Sequence, residues 1–187
     1  AGVGGQAAAI AAFIRARRLE RPLIVGHSLG GAIALALAND HPETVSGLVL
    51  ISPLTNAPDA VPPEFRAMYV RSRLRRRIIA ETVGVPTSLR LAPKTLDFVF
   101  GPQPMPPDYP IAGGGMVGLR PAHYYGTTTD LVATGDTLPA YQKRYGEISM
   151  PVGLVFGTAD RVLNYHVDGV AMAERIPSLE IELLEGM

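Results

Sequence analysis

The motif that most constrains this chain is Gly26-His27-Ser28-Leu29-Gly30, which fits the pattern G-x-S-x-G. The apolar run 22–26 before it predicts a buried strand, and the almost wholly apolar run 32–39 after it predicts a buried helix. A sharp bend between the two brings backbone segments together, so we expect a β-carbon at Gly26 or Gly30 to collide. The bend would present the Ser28 hydroxyl at the carboxyl end of the strand, beside the positive end of the helix.

Alternating strand-like and helix-like runs predict an α/β fold. Strands are expected at 47–51, 152–156 and 179–184, and helices at 6–19 and 167–176. Strand–helix–strand succession requires crossovers and therefore favours a parallel sheet. Between these runs, prolines and the Gly113–Gly115 run interrupt the pattern, with helices expected at 65–82 and 129–145. The predicted organisation is a core in two parts, 1–53 and 149–187, separated by a mainly helical insertion at 54–148.

A second motif, Phe156-Gly157-Thr158-Ala159-Asp160, follows a predicted strand and precedes a predicted helix. Asp160 is therefore expected at the same edge of the sheet as Ser28. A carboxylate there can orient a histidine while the histidine takes a proton from a serine. The alternatives are structural: Asp160 caps the next helix or pairs with Arg161, and Ser28 is only a helix cap.

These segments resemble the α/β-hydrolase superfamily, specifically the serine hydrolases that carry a helical cap. The resemblance rests on Leu23–Gly31, Gly47–Pro53 and Pro151–Asp160, and it covers the core but not the cap. It implies the later strands of a mostly parallel sheet of the α/β-hydrolase type. It also implies that Ser28 is the nucleophile, that Asp160 is the triad acid and that the Leu29 backbone N–H donates to an oxyanion. Gly26, His27 and Gly30 would then complete the nucleophile elbow.

The chain departs from that family at both ends. The family order is Ser…Asp…His, with the histidine in a loop after the strand that follows the acid. None of His27, His41, His123 and His166 occupies that position, and the early loop that supplies a second oxyanion donor is missing. We therefore expect a chain truncated at both ends, a catalytic histidine beyond Met187, and 187 residues that are inactive alone. Truncation should also leave Leu23–Val25 on an open sheet edge.

The resemblance implies hydrolysis of an ester or related acyl substrate through a Ser-His-Asp triad. A carbon–carbon bond hydrolase, using the same triad on a ketone, is one alternative. A non-catalytic ligand-binding protein of the same fold is another. Serine at the elbow argues against the dehalogenase and epoxide hydrolase relatives, which use aspartate there.

Two features of the insertion allow more than one interpretation. The aromatic residues Phe98, Phe100, Tyr124 and Tyr125 either line a substrate pocket over Ser28 or form the core of the cap. An arginine-rich predicted helix either binds anions or is a solvated face behind the apolar stripe Val70, Leu74 and Ile78. The arginines concerned are Arg66, Arg71, Arg73, Arg75, Arg76 and Arg77.

The composition of the chain argues against several classes of binding partner and cofactor. The 17 Lys+Arg residues balance the 17 Asp+Glu residues, which argues against nucleic-acid binding. The chain has no cysteine, and no His/Asp/Glu cluster has metal-ligand spacing, so neither a metal nor another cofactor is expected. No apolar run is long enough to span a bilayer and no secretory signal is visible, so we expect a cytoplasmic protein with a small-molecule substrate and no membrane partner. The oligomeric state stays open.

Overall fold

The computed structural model describes residues 2–57 and 61–187. The chain divides into two compact units. The core unit comprises Ala1–Pro58 and Thr134–Met187, and the helical unit comprises Asp59–Ala133. The helical unit lies within the segment 54–148 that the sequence predicts as an insertion.

The core unit contains a sheet of four parallel strands in the order β1-β2-β3-β4. The strands are β1 (Leu23–His27), β2 (Gly47–Ile51), β3 (Val152–Gly157) and β4 (Leu179–Leu184). The register pairs Val25 with Val49, and Leu154 with both Leu50 and Ile181. All four strands fall where the apolar runs predict them, which confirms the α/β class.

Helix α2 covers this sheet and helix α1 packs on α2, because each helix has an apolar surface to bury. Helix α2 (Leu29–Asp40) is buried at every position from Gly31 to Asn39, as expected for a helix with almost no polar side. Helix α1 (Val3–Ala16) packs against α2. It buries a single stripe at helical spacing, formed by Val3, Ala7, Ala11 and Ile14.

Strand β1 is an edge strand. Among residues 2–57 and 61–187 it pairs with β2 alone, and its outward residues Leu23 and Val25 are 58% and 62% exposed. Phe13 and Leu19, which precede the strand, are also exposed. This is the open, apolar edge expected from the sequence.

The helical unit contains helices α3 (Arg73–Ile79), α4 (Val85–Phe100) and the first part of α5 (Pro121–Gln142), with no strand among residues 61–133. The expected helix at 129–145 begins earlier, because Pro121 starts α5 and its missing N–H is not needed in the first turn. Helix α4 is not among the helices that the sequence predicts for this segment, and it contains two prolines, Pro86 and Pro93. Pro86 lies in the first turn of α4, and the helix continues past Pro93.

The prediction of one helix over 65–82 is wrong. A 3₁₀ segment at Pro63–Met68 is separated from α3 by the non-helical residues 69–72, and the Ser72 hydroxyl accepts from the Arg75 amide to begin α3. A wide π turn at Ala80–Gly84 then leads into α4. The expected helix at 167–176 is likewise a π turn, Tyr165–Gly169, followed by a 3₁₀ turn, Val170–Glu174.

The apolar stripe predicted behind the arginines is also wrong. Leu74 is 69% exposed and Ile78 is 54% exposed, whereas Arg76 is only 4% exposed. The Arg76 Nη1 donates to the carbonyls of Val70 at 2.7 Å and Arg71 at 3.0 Å, and the guanidinium lies over the Tyr125 ring. Helix α3 therefore buries an arginine and exposes two aliphatic side chains.

Among the residues that the structure describes, no helix is both long and apolar enough to cross a bilayer.

Candidate active site

The backbone at Ser28, between β1 and α2, adopts a conformation that L-amino acids rarely show, with φ 51 and ψ −119. Its amide donates to the Ile51 carbonyl at 3.1 Å, which fastens the turn to the end of β2. Its carbonyl accepts from the amides of Gly31 at 2.9 Å and Leu54 at 3.0 Å. A conformation of this kind costs about 1–3 kcal/mol and persists only where the surrounding structure imposes it.

The Ser28 hydroxyl has no hydrogen-bond partner among the described residues, and it does not cap α2. The alternative that Ser28 is only a helix cap is therefore wrong. Leu29 is the first residue of α2, so its N–H is one of the four amides that lack a helical acceptor. The turn thus places an unpaired hydroxyl beside the donor-rich end of a helix, where negative charge is stabilised.

Two glycines allow the close approach at this turn, but they are not the pair expected from the motif. A β-carbon on Gly26 would lie 2.6 Å from the Gly30 carbonyl oxygen, as predicted. A β-carbon on Gly31 would collide with Pro53, which follows β2. The collision expected at Gly30 itself is wrong, because its β-carbon would point into open space. Gly30 contributes through its backbone, which lies against Gly26.

Asp160 follows β3, so it lies at the same edge of the parallel sheet as Ser28. The two residues follow strands two positions apart, about 10 Å across the sheet at the usual strand spacing. The Asp160 Oδ1 accepts from the amides of Val162 at 2.8 Å and Leu163 at 3.0 Å, and the side chain is half-buried. These amides belong to a bend at 161–163, and the next helical turn, Tyr165–Gly169, is capped by Asn164, so the alternative that Asp160 caps the next helix is wrong. Oδ2 has no partner among the described residues.

The segment after β4 runs beside the turn that contains Asp160. The amide of Ala159 donates to the Met187 carbonyl at 2.7 Å, and the amide of Thr158 donates to the Leu184 carbonyl at 3.0 Å. The Gly186 amide also donates to the Thr158 hydroxyl at 3.0 Å. Met187 therefore lies next to the residue that precedes Asp160.

None of the four histidines forms a side-chain hydrogen bond with Ser28 or Asp160. His27 ends β1 with its side chain exposed, and His41 follows α2. His123 belongs to α5 in the helical unit, and His166 stacks on Tyr165 with ring centroids 4.0 Å apart. The described residues thus supply a serine and a carboxylate but no histidine bonded to either.

A buried carboxylate that sequence reasoning missed supports this edge of the sheet. Asp168 Oδ1 accepts from the amides of Thr55 at 3.0 Å and Asn56 at 2.9 Å, and the Thr55 hydroxyl donates to the Asp168 carbonyl at 3.0 Å. The buried Tyr145 hydroxyl donates to the Thr55 carbonyl at 2.8 Å. Burial raises the pKa of Asp168 although these hydrogen bonds oppose the rise. The bonds tie the segment after β2 to the turn at 165–169.

No sequence signal points to Asp168, because it lies in no motif and its partners are more than 100 residues away. Asp168 also supports the turn at Ser28, because its partner Thr55 immediately follows Leu54, whose amide donates to the Ser28 carbonyl. Asp168 is therefore a structural support of the turn.

The four aromatic residues proposed as pocket residues all lie in the helical unit. Phe98 packs edge-on against Phe65, and Phe100 packs edge-on against Tyr109 with centroids 4.7 Å apart. Tyr125 lies under Arg76. Tyr124 is buried, and it lines a largely apolar cavity of about 500 Å³ whose walls all belong to this unit. Their placement over Ser28 stays a prediction.

A parallel sheet with a strained serine between a strand and a buried helix is the framework of an α/β enzyme with a nucleophile elbow. The model of the alpha/beta hydrolase family matches residues 2–186. The chain belongs to that family.

Solved structures agree with this assignment at the level of the fold. An alpha/beta hydrolase fold protein from Burkholderia ambifaria superposes with a TM-score of 0.78 at 21% identity, covering 99% of this chain and 66% of that one. A thermophilic esterase from Thermogutta terrifontis superposes with a TM-score of 0.66 at 18% identity, covering 100% of this chain and 64% of that one.

A curated relative is the 2-hydroxy-6-oxononadienedioate/2-hydroxy-6-oxononatrienedioate hydrolase of Paraburkholderia phymatum. It is 27% identical over 166 residues, which are 88% of this chain and 54% of that protein. A pyrethroid hydrolase of Sphingobium wenxiniae is 41% identical over 54 residues, 29% of this chain and 19% of that protein. The chain therefore spans about half the length, or less, of these curated relatives.

Proposed function

We propose that these residues form the part of a serine hydrolase that carries its nucleophile and its acid, and that esters or related acyl compounds are the substrates. The observation that carries the proposal is the strained Ser28 with an unpaired hydroxyl at the start of α2. A serine that only caps a helix does not require this strained backbone conformation. Membership of a hydrolase family and likeness to an esterase support the reaction class.

Each group has one role in this proposal. The Ser28 Oγ attacks the acyl carbon while a histidine accepts its proton, and the same histidine then protonates the leaving alkoxide. The Leu29 N–H donates to the oxyanion that forms. Asp160 orients the histidine through Oδ2, since Val162 and Leu163 already occupy Oδ1.

The histidine of this triad is proposed to lie outside the 187 residues. The position of Met187 against Ala159 supports this, because a residue that followed Met187 would begin beside Asp160. The 187 residues alone are then expected to be inactive. Loss of the histidine from a comparable triad lowers turnover by about a millionfold.

A carbon–carbon bond hydrolase is the second candidate. The relative named for 2-hydroxy-6-oxononadienedioate covers 88% of this chain, and that compound carries a ketone. The same serine, histidine and acid would act on the ketone carbon. Measuring kcat/KM for alkyl esters and for a vinylogous keto acid separates the two candidates. A higher value for the esters favours the ester hydrolase, and a higher value for the keto acid favours the carbon–carbon bond hydrolase.

Labelling with a fluorophosphonate tests the proposal against a non-catalytic ligand-binding protein. We expect a form whose coding sequence continues past Met187 to be labelled at Ser28. Ser28→Ala should abolish labelling, whereas Ser46→Ala, at an exposed serine before β2, should not change it. An extended form that is folded but unlabelled contradicts the hydrolase. Ester turnover by the 187 residues that depends on Ser28 contradicts the expected inactivity.

A further inference from the structure

Helix α3 presents an apolar strip between exposed cations. At about 100° per residue, Leu74 and Ile78 lie within about 40° of each other around the helix. Arg77 lies on one side of this pair and Arg75 on the other, each about 80° from its centre. All four side chains are exposed, and Arg73 extends the basic margin at the start of the helix.

The rotation of α3 is set by the residue on its opposite side. Arg76 is buried through two hydrogen bonds to backbone carbonyls and through contact with Tyr125. Because these contacts fix Arg76 inward, Leu74 and Ile78 must face outward. The exposed strip is therefore built by the packing of the helical unit and is not a frayed end.

The arginines that flank the strip have no acidic partner in the part of the chain that the structure describes. The guanidinium groups of Arg73, Arg75 and Arg77 have no ion-pair or hydrogen-bond partner among residues 2–57 and 61–187. No Asp or Glu occurs between Glu64 and Glu81. Residues 59–133 contain nine Lys+Arg against six Asp+Glu, a net charge of +3 in a chain whose total charge is zero.

We propose that α3 is a docking face for an anionic lipid surface, which departs from the sequence-based expectation of no membrane partner. The arginines would bind headgroup phosphates while Leu74 and Ile78 enter the boundary between headgroups and acyl chains. This combination is typical of helices that lie in a membrane interface without spanning it. A nucleic acid or an acidic protein accounts for the arginines, but it leaves the aliphatic strip between them unexplained. Charge complementarity and the apolar strip together favour the lipid.

Tryptophan fluorescence tests this directly, because the chain contains no tryptophan. Leu74→Trp introduces one reporter on the strip, and Phe13→Trp introduces a control at an exposed position in the core unit. With phosphatidylcholine vesicles that contain phosphatidylglycerol, the reporter at position 74 should shift its emission to the blue and become protected from iodide. The reporter at position 13 should show neither change, and vesicles of phosphatidylcholine alone should affect neither reporter.

Vesicle flotation separates the two parts of the face. We expect each arginine to contribute about fivefold to vesicle binding, so the triple variant Arg73→Gln/Arg75→Gln/Arg77→Gln should bind about a hundredfold more weakly. Raised salt should weaken binding of the unaltered protein in the same way. Leu74→Gln/Ile78→Gln should weaken binding about tenfold or more. Glutamine keeps helix propensity, and Arg17→Gln/Arg18→Gln, at exposed arginines of the core unit, is the matched charge control.

Three outcomes overturn the proposal: no binding to the anionic vesicles, equal binding after the triple arginine change, or full binding by Leu74→Gln/Ile78→Gln. The last result together with binding of a single-stranded oligonucleotide would assign α3 to polyanions instead. Circular dichroism of each variant checks that the helices are retained. Ser28→Ala should bind vesicles normally, so failure of the docking face is distinguishable from failure of the proposed hydrolase.

Discussion

The amide of Ala159 donates to the carbonyl of Met187 at 2.7 Å, so the turn after β3 and the segment after β4 run together next to Asp160. A parallel sheet brings the carboxyl ends of all its strands to one edge. This bond joins the segments that follow two of those strands, β3 and β4. A side chain placed just after Met187 would therefore begin within reach of the acid.

Adding Gly-His after Met187 should activate Ser28. The new imidazole would lie beside Asp160 and act as the general base of the proposed triad, a role that typically contributes about 10²–10⁴-fold. The measurement is the rate of fluorophosphonate labelling at Ser28. Adding Gly-Gln is the matched control, and Asp160→Asn should remove most of the gain. Equal labelling after either addition would show that Met187 does not lead into the site.

Three glycine substitutions should show which glycines of this turn are required because a β-carbon would collide with neighbouring atoms. Gly26→Ala and Gly31→Ala should each destabilise the protein by about 1–3 kcal/mol, because their β-carbons meet the Gly30 carbonyl and Pro53. Gly30→Ala meets open space and should be neutral or slightly stabilising, since alanine is the better helix former. Urea unfolding measures all three. A loss at Gly30 as large as that at Gly31 contradicts the assignment.

Asp168 should make stability depend on pH in an unusual direction. Burial raises the pKa of Asp168 in the folded state above its ordinary value of 3.8, so the folded state binds the proton more readily than the unfolded state. Its contribution is therefore complete below about pH 3.8 and is lost as pH rises through the folded pKa. The difference in unfolding free energy between the protein and Asp168→Asn should decrease over that window. A difference that grows with pH contradicts the raised pKa.

Asp168→Ala provides the structural comparison. It leaves the amides of Thr55 and Asn56 without their acceptor, and we expect a loss of about 1–3 kcal/mol, whereas asparagine keeps an acceptor oxygen. If alanine and asparagine are equally tolerated in urea unfolding, the network does not support the turn.

The exposed edge of β1 should make the protein self-associate. An unpaired strand with outward Leu23 and Val25 is a template for pairing with another chain. Light scattering should show particle size increasing with concentration, and Val25→Lys should suppress this increase. The matched control Val99→Lys replaces an exposed valine of α4 and should leave association unchanged.

The strands and the elbow could be predicted because their signals are local. Apolar runs bounded by proline or glycine mark β1 to β4, and G-x-S-x-G needs only neighbours in sequence. The sequence does not predict helix α4. Proline disfavours helix interiors, yet Pro86 lies in the first turn of α4 and the helix continues past Pro93. The collision expected at Gly30 belongs to Gly31, whose neighbour Pro53 is distant in sequence.

The sequence by itself determined the α/β class, the order of the strands along the chain, and the placement of Ser28 and Asp160 at the ends of two of them. Each of these follows from hydrophobic periodicity and turn chemistry within a few residues. Only the tertiary structure decided that α3 buries Arg76 and exposes Leu74 and Ile78. Periodicity cannot foresee this inversion, because the buried cation is stabilised by the ring of Tyr125, which is distant in the chain, and by the Val70 and Arg71 carbonyls just before the helix. The support from Asp168 arises in the same way, from partners far away in the chain.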